Sequence, residues 1–462
     1  MKSDGKGATG ILLVIAVVCL MDGLDGSVVN VALPTLADGF GTDAGTIAWI
    51  TVVYFLMLAG LLMLFARVAD NGAIRKVAVA GVAVFTLGSL LCGVSPSFEA
   101  LLAARGVQGV GAAMMGASAP MICVRHLPRG MLGLGMGVLT LGCSVGFAVG
   151  PAIGGLIIDA LSWHWIFLIN VPVGLLMIPM MLALIPKDER YEKKPLDAKG
   201  AALLFAAVAA GAFALERMPH GAERTWALLA AAACVICLAA FVATELRSRA
   251  PLLNVRVFKH MRFDSLFLAF MLLNVAYMGL LYLFPFYLEV CMGFRSAESG
   301  LYLFIPPAIT LAICVPISRW SDRAGRRAFA VAACAALLAG AVAMFLFSRS
   351  DSTLLLLFTL SCMGLTWGFA GGPMASRIVE NTSEESREIG SSLMNESIYL
   401  GGTIGLSLFA MIFTIGADSG AVDFRDLTQE VFLDGFVLSA AVCAVVAVVA
   451  LMLSAAVKDV KA

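Results

Sequence analysis

Apolar residues in this chain run in long unbroken stretches, not in the short alternations of a water-facing sheet. A membrane-crossing helix needs about 20 mostly apolar residues. Fourteen stretches meet that need: residues 11–36, 45–66, 76–94, 99–123, 131–158, 164–185, 200–216, 225–245, 264–288, 299–318, 327–348, 353–376, 389–415 and 432–457. The pattern predicts an all-α membrane protein with fourteen transmembrane helices. Stretch 200–216 is the shortest and is rich in Ala. Polar residues collect in short connectors, too short for a folded soluble domain.

Composition agrees. The chain has 462 residues, of which 61% are hydrophobic and 13% charged, against about 25% charged in soluble domains. The formal net charge is +0, so nothing points to nucleic acid as a partner. The basic residues alternate between connectors. Of the 31, 25 lie in one alternate set, from Lys2 and Lys6 to Lys458 and Lys461, 5 in the other, and Arg105 lies within a span. By the positive-inside rule the rich set and both termini face the cytoplasm, so the chain reads as a multi-pass cell-membrane protein. The N-terminal apolar run holds Asp22 and Asp25 and continues to Leu36, which fits an uncleaved first span better than a signal peptide.

The 11 cysteines are scattered singly through apolar stretches, which is their use as small hydrophobes. Cys234 and Cys237 form a CxxC inside an Ala-rich helix with no ligand partner nearby, so no metal site is expected. With only 4 histidines, none beside a candidate nucleophile, an enzyme is not expected either.

Two connectors resemble each other. After the second span the chain reads Ala66-Arg67-Val68-Ala69-Asp70-Asn71-Gly72-Ala73-Ile74-Arg75-Lys76; after the tenth it reads Ser318-Arg319-Trp320-Ser321-Asp322-Arg323-Ala324-Gly325-Arg326-Arg327. The tenth span is the second of a block starting at the ninth. The simplest division is an N-terminal six-helix half (residues 1–186), a linker with two inserted helices (187–262), and a C-terminal six-helix half (263–462). Repeats of this kind place a ligand site between the halves.

Ionisable residues inside spans are the strongest functional signal. A charge at the bilayer centre costs about 2.5–3.5 kcal/mol on insertion scales and is kept when paired, hydrated or working. Span 1 carries Asp22 and Asp25; span 4 carries Arg105. At 1.5 Å per residue, both Asp25 and Arg105 lie about 9 Å from the outer side of a core about 30 Å thick. The equal depths predict an Asp25–Arg105 ion pair, direct or through water. Asp22 lies nearer the midplane on the same side of the helix, and two such close carboxylates resist ionising together. One of them, Asp25 above all, also reads as a purely structural partner of Arg105.

Span 4 continues Arg105-Gly106-Val107-Gln108-Gly109-Val110-Gly111-Ala112-Ala113. No strand precedes it, so this is no nucleotide loop. Span 5 places Gly142, Gly146, Gly150 and Gly154 on one helix face, which allows close helix contact. Pro151 and Gly155 complete the motif Gly150-Pro151-x-x-Gly154-Gly155, and Trp163-His164-Trp165-Ile166-Phe167-Leu168-Ile169-Asn170-Val171-Pro172-Val173-Gly174 follows.

On these motifs the chain resembles, over nearly its whole length, the major facilitator superfamily and within it the fourteen-span drug:proton antiporters. The connectors around Asp70 and Asp322 are similar to that family's cytoplasmic loop signature, with Ala66, Asn71 and Ala73 as departures in the first copy. The resemblance implies a conformational switch at Asp70, Arg75, Asp322, Arg323 and Arg326. It implies an antiporter signature at Gly146, Gly150, Pro151, Gly154 and Gly155, a proton gradient as the energy source with no cofactor, and a monomer. His164 replaces the family's usual Arg, as an interfacial residue or a pH element.

Asp22, Asp25, Arg105 and Glu396 are the candidate coupling residues. Glu396 reads equally as a second proton site or as a vestibule carboxylate beside Arg387. Asn30, Gln108, Phe270, Asn274, Tyr277 and Asn395 are the candidate substrate-cavity residues; Phe270, Asn274 and Tyr277, at helical spacing, read as a wall for flat ligands or as ordinary packing. The expected function is proton-coupled export of lipophilic, cationic drugs. The alternative is export of an anionic metabolite, with Arg105 as its contact, or of a neutral one.

Overall fold

The computed structural model describes residues 5–128, 131–188, 197–219, 223–248, 265–324, 326–347, 352–380, 387–417 and 428–456. Every regular element among them is helical. Among the described residues thirteen helical segments are long and apolar enough to cross a bilayer, and one of them, Ala44–Gly93, is 50 residues long. That segment breaks at Asn71 and Gly72, where Gly72 takes φ 90°, a conformation open to glycine at little cost. Counting its two legs separately gives fourteen spans.

The spans are α1 (Gly5–Phe40), α2 (Ala44–Val68), α3 (Ile74–Gly93), α4 (Phe98–His126) and α5 (Leu132–Ala160). Next come α6 (His164–Leu184), α7 (Ala198–Arg217), α8 (Arg224–Arg247) and α9 (Ser265–Cys291). The last are α10 (Ser296–Leu303, continuing as Ile305–Ala324), α11 (Arg326–Phe347), α12 (Thr353–Glu380), α13 (Arg387–Gly416) and α14 (Gln429–Ala456). Several starts are set by side-chain caps that satisfy orphan backbone donors. Asp43 accepts from Thr46 N at 2.9 Å to begin α2, Ser97 accepts from Ala100 N at 3.3 Å to begin α4, and Asp197 accepts from Gly200 N at 2.8 Å to begin α7.

Helix pairing repeats at an offset of eight spans. In the first half α1 packs on α5, α3 on α4, α2 on α4 and α3 on α6; in the second α9 packs on α13, α11 on α12, α10 on α12 and α11 on α14. The halves meet through α2 with α13 and α5 with α10, which are themselves equivalent under that offset. Helices α7 and α8 fall outside the repeat. They pair with each other, and α7 rests on α2 and α13. Trp226, Val235 and Ile236 of α8 are at least 65% exposed, an apolar surface suited to lipid. The architecture is a major facilitator fold: two six-helix halves plus two inserted helices.

With an even number of spans, the start of α1 and the end of α14 lie at the same end of the bundle. At the opposite, far end the halves touch. Thr35 and Ser296 share a hydroxyl hydrogen bond of 3.3 Å, Arg295 lies 3.4 Å from Asp159, and the Tyr282 hydroxyl donates to Ala44 O.

The close pairing of α1 and α5 rests on glycine. A Cβ on Gly142 would come within 2.9 Å of Ala16 O, and one on Gly154 within 2.6 Å of Val28 Cγ2. A Cβ on Gly146 or Gly150 would collide with Leu20 O or Ser27 Oγ. Gly155 faces elsewhere, onto Ser296 O of α10. One helix thus fits closely to a neighbour in its own half and to a neighbour in the other. Gly137 of the same helix has no atom within 4 Å of its Cβ position. Replacing Gly146 by Val overpacks the α1–α5 interface and costs about 1–3 kcal/mol. Thermal unfolding in detergent should show a clear fall in Tm for Gly146→Val and none for Gly137→Ala.

Candidate functional site

The site grows from Arg105. It is buried to 0% exposure in the middle of an apolar bundle, so its donors need partners on neighbouring helices. Nη1 donates to Asp25 Oδ2 of α1 at 2.7 Å and to Gln108 Oε1, one turn along α4, at 2.7 Å. Nε donates to the Ile50 carbonyl of α2 at 3.1 Å. The guanidinium lies over the Tyr54 ring, 4.2 Å from its centroid, and 5.7 Å from that of Phe167. The ion pair expected from equal depth is therefore direct.

Asp25 is held on its other side as well. Its Oδ1 accepts from Gln108 Nε2 at 2.7 Å and from Asn170 Nδ2 of α6 at 3.4 Å. Gln108 Nε2 also donates to Ser89 Oγ of α3 at 2.8 Å. Sequence reasoning put Gln108 in a substrate cavity. In the structure Gln108 has 0% exposure and its amide bonds the ion pair. A desolvated carboxylate needs its lone pairs met, and Gln108 shares that task with Arg105 and Asn170.

Asp22 differs. It is half-buried, and the Tyr54 hydroxyl donates to its Oδ1 at 2.9 Å. One turn on, a Cβ at Gly26 would meet no atom within 4 Å. One turn further, Asn30 is buried with its Oδ1 lacking a partner among the described residues. Asp22, Gly26 and Asn30 line up one turn apart along α1, with open space at Gly26, while Asp25 points to Arg105 inside the half.

In the second half, Phe270 and Tyr277 of α9 stack on Trp367 of α12, with centroids 5.9 and 5.3 Å away and planes within 21°. Phe270, Asn274 and Tyr277 are at most 2% exposed; the partly exposed ring of this wall is that of Trp367. A Cβ at Gly371, one turn after Trp367, would meet nothing within 4 Å. Asn274 Nδ2 bonds the Phe270 carbonyl at 2.9 Å, and its Oδ1 is without a partner among the described residues.

The switch residues are placed in part. Asp70 Oδ1 accepts from Arg125 Nη2 near the end of α4 at 3.1 Å, with both side chains about one-third exposed. The first turn of α3 is capped instead by Asp188, which accepts from Arg75 N at 2.7 Å and Lys76 N at 3.1 Å. The side chains of Asp322, Arg323, Arg326, Asn395 and Glu396 lie outside the described residues. His164 stacks on Trp163 with centroids 3.7 Å apart.

Sequence reasoning did not single out Tyr54, Ser89, Asp188 or Trp367. Asn170 stood within a quoted motif but was given no role. Tyr54 had a usable signal: a phenol within an apolar span needs a hydrogen-bond partner.

Two related helical halves, a locked charge cluster and a half-buried carboxylate one turn from open space at Gly26 define a membrane transporter. Residues 15–406 match the model of the Major Facilitator Superfamily, and the chain belongs to that family. It is 30% identical over 404 residues to a protein of Mycobacterium tuberculosis named multidrug resistance protein B homolog, covering 86% of this chain and 74% of that one. It is 26% identical to the riboflavin transporter RibZ of Clostridioides difficile, covering 87% and 88%. Among solved structures, a bacterial homolog of the human lysosomal transporter Spinster superposes with a TM-score of 0.68 at 15% identity, covering 98% of each chain.

Removing one partner of a buried pair leaves a bare charge and costs about 3–5 kcal/mol, whereas removing both costs much less. Arg105→Gln should abolish folded yield in detergent, measured by monodisperse protein on size exclusion. Arg105→Gln combined with Asp25→Asn should restore most of it.

Proposed function

We propose that this protein is a proton-coupled antiporter that exports lipophilic, cationic compounds by alternating access between its two halves. The observation that carries the reading is the unequal fate of two neighbouring carboxylates. Asp25 is locked by Arg105, Gln108 and Asn170, while Asp22 is half-buried beside the open space at Gly26. A carboxylate facing a low-dielectric cavity attracts a cation or a proton, and not both at once. The partly exposed Trp367 adds an aromatic face of the kind that binds organic cations.

In the proposed cycle the terminal end faces the cytoplasm, as the basic connectors favour. A substrate enters from that side or from the adjoining lipid and sits against ionised Asp22. The halves, in contact at the far end, rock so that this end opens, a proton from outside neutralises Asp22, and the substrate leaves. The proton returns to the cytoplasm as the far end closes. Glu396 is retained as a second proton carrier near the cytoplasmic side. The moving units are residues 1–186 and 263–462, working as a monomer in the cell membrane, with 187–262 as a lateral insertion.

A second reading has its own support. The stack of Phe270 and Tyr277 on the partly exposed Trp367 suits a flat, neutral metabolite, and one relative is named a riboflavin transporter.

Proton release from inverted vesicles with an acidic interior distinguishes the two. Cationic compounds should release protons from wild-type vesicles, and Asp22→Asn should cut the rate at least about tenfold, the loss expected when a charged contact worth 1.4 kcal/mol or more is removed. Release driven by neutral flat compounds and unchanged in Asp22→Asn would favour the metabolite reading.

A further inference from the structure

Tyr54 touches both acidic systems. Its side chain is 1% exposed. The hydroxyl donates to Asp22 at 2.9 Å, and the ring face carries the Arg105 guanidinium at 4.2 Å. Arg105 also holds the backbone of the same helix one turn earlier, at Ile50. The backbone at Tyr54 lies close against α4, because a Cβ at Gly109 would come within 2.8 Å of the Tyr54 carbonyl. A phenylalanine would fill the same space. The hydroxyl adds a group that is costly to bury unbonded, and its partner is Asp22.

We propose that Tyr54 is a positioning residue that carries the charge state of Asp22 to the Arg105–Asp25 pair and onward to the interface between the halves. This rests on the reading of Asp22 as the proton-binding group. A phenol that donates to a carboxylate carries extra electron density on its oxygen and ring, because hydrogen-bonded groups polarise one another. An electron-rich ring face holds a cation more strongly. When Asp22 takes up a proton, the phenol donates to a neutral acceptor or turns to accept, and its ring loosens on Arg105. No covalent bond changes, and the proton stays on an Asp22 oxygen.

The next residue gives the signal somewhere to go. Phe55 packs edge-on to Tyr54, with centroids 5.6 Å apart at 77°. Phe55 also lies 3.8 Å from the Cβ position of Gly402 on α13, in the opposite half. Neighbouring residues of α2 thus read the charge cluster on one side and the partner half on the other. The titratable groups around Asp22 are Cys19 and Asp25 on α1, Tyr54 on α2, Arg105 on α4, and Cys143 of α5, which pairs with Cys19. Of these Tyr54 bonds Asp22 directly.

The test reads the far end directly. A cysteine is introduced at Ser296, buried where the halves meet, in a Glu289→Gln background that is otherwise wild-type, and in the same background with Tyr54→Phe and with Asp22→Asn. Glu289 is replaced because the Ser296 hydroxyl donates to its carboxylate at 3.1 Å, and that group would add its own response to pH. Its labelling by a membrane-impermeant maleimide is followed from pH 6 to pH 8, normalised to Leu161→Cys, an exposed position at the same end. The expected result is a labelling ratio that changes about tenfold with pH in the otherwise wild-type protein, a shift of 1.4 kcal/mol in the closing equilibrium, and less than twofold in both variants and in their combination. Tyr54→Phe that keeps the wild-type pH response overturns the proposal, as does a wild type with no response. Tyr54→Leu, which removes the ring as well, should lower folded yield where Tyr54→Phe does not. Substrate-driven proton release, measured in the same protein, separates the two readings. Release with a pH-independent far end sinks the role of Tyr54 alone. A Tyr54-dependent far end without release sinks the drug antiport alone.

Discussion

A guanidinium with no exposure, in the midst of membrane helices, organises this protein's first half. Arg105 demands partners, and each partner fixes a helix: Asp25 sets α1, Ile50 and Tyr54 set α2, and Asn170 sets α6 through Asp25. Gln108 ties in α3 through Ser89. The backbone is arranged to permit this. A Cβ at Gly88 would sit 2.6 Å from Gln108 Cα, and one at Gly109 would sit 2.8 Å from the Tyr54 carbonyl. Charge satisfaction and small residues together make a body with little freedom to deform, the kind of unit that rocks as a whole.

The two halves share an architecture and divide the chemistry. α1 and α9 occupy equivalent places in the repeat. α1 carries Asp22, Asp25 and Asn30; α9 carries Phe270, Asn274 and Tyr277. One half therefore carries a charge cluster and the other an aromatic cluster whose partly exposed ring is that of Trp367. Such a site distinguishes ligands by charge and flatness more than by a fixed set of hydrogen bonds.

Much of the fold was legible in the sequence because membrane burial is written in long apolar runs. The number of spans follows from those runs, and the depth of Arg105 against Asp25 from rise per residue. What depth leaves open is rotation. Arg105 and Gln108 lie three residues apart and share a face, so spacing could not tell a cavity amide from one locked on the ion pair. Tyr54 looked like any aromatic in an apolar span until α2 was placed beside α1. Trp367 stood near glycines that face α10, and its stacking on Phe270 and Tyr277 depends on how α12 turns against α9. Asp188 lies in a charged linker where no pattern marks it as the cap of a helix more than 100 residues earlier. In each case the deciding contact is between helices, where a single sequence carries the least information.

The arrangement of α5 limits how the halves can move. Its glycines at 142, 146, 150 and 154 fit α1 so closely that the two helices must travel together, since separating them would open a groove with nothing to fill it. Gly155, on another face, lies against Ser296 at the start of α10, where Arg295 approaches Asp159 through an exposed guanidinium. The first interface is long and dry, whereas the second is local and bordered by an ion pair of the partly solvated kind that contributes about 0–1 kcal/mol. Opening at the far end breaks the second and spares the first. α1 would then carry Asp22 with its own half, and the carboxylate would change its exposure to each side of the membrane without leaving Tyr54.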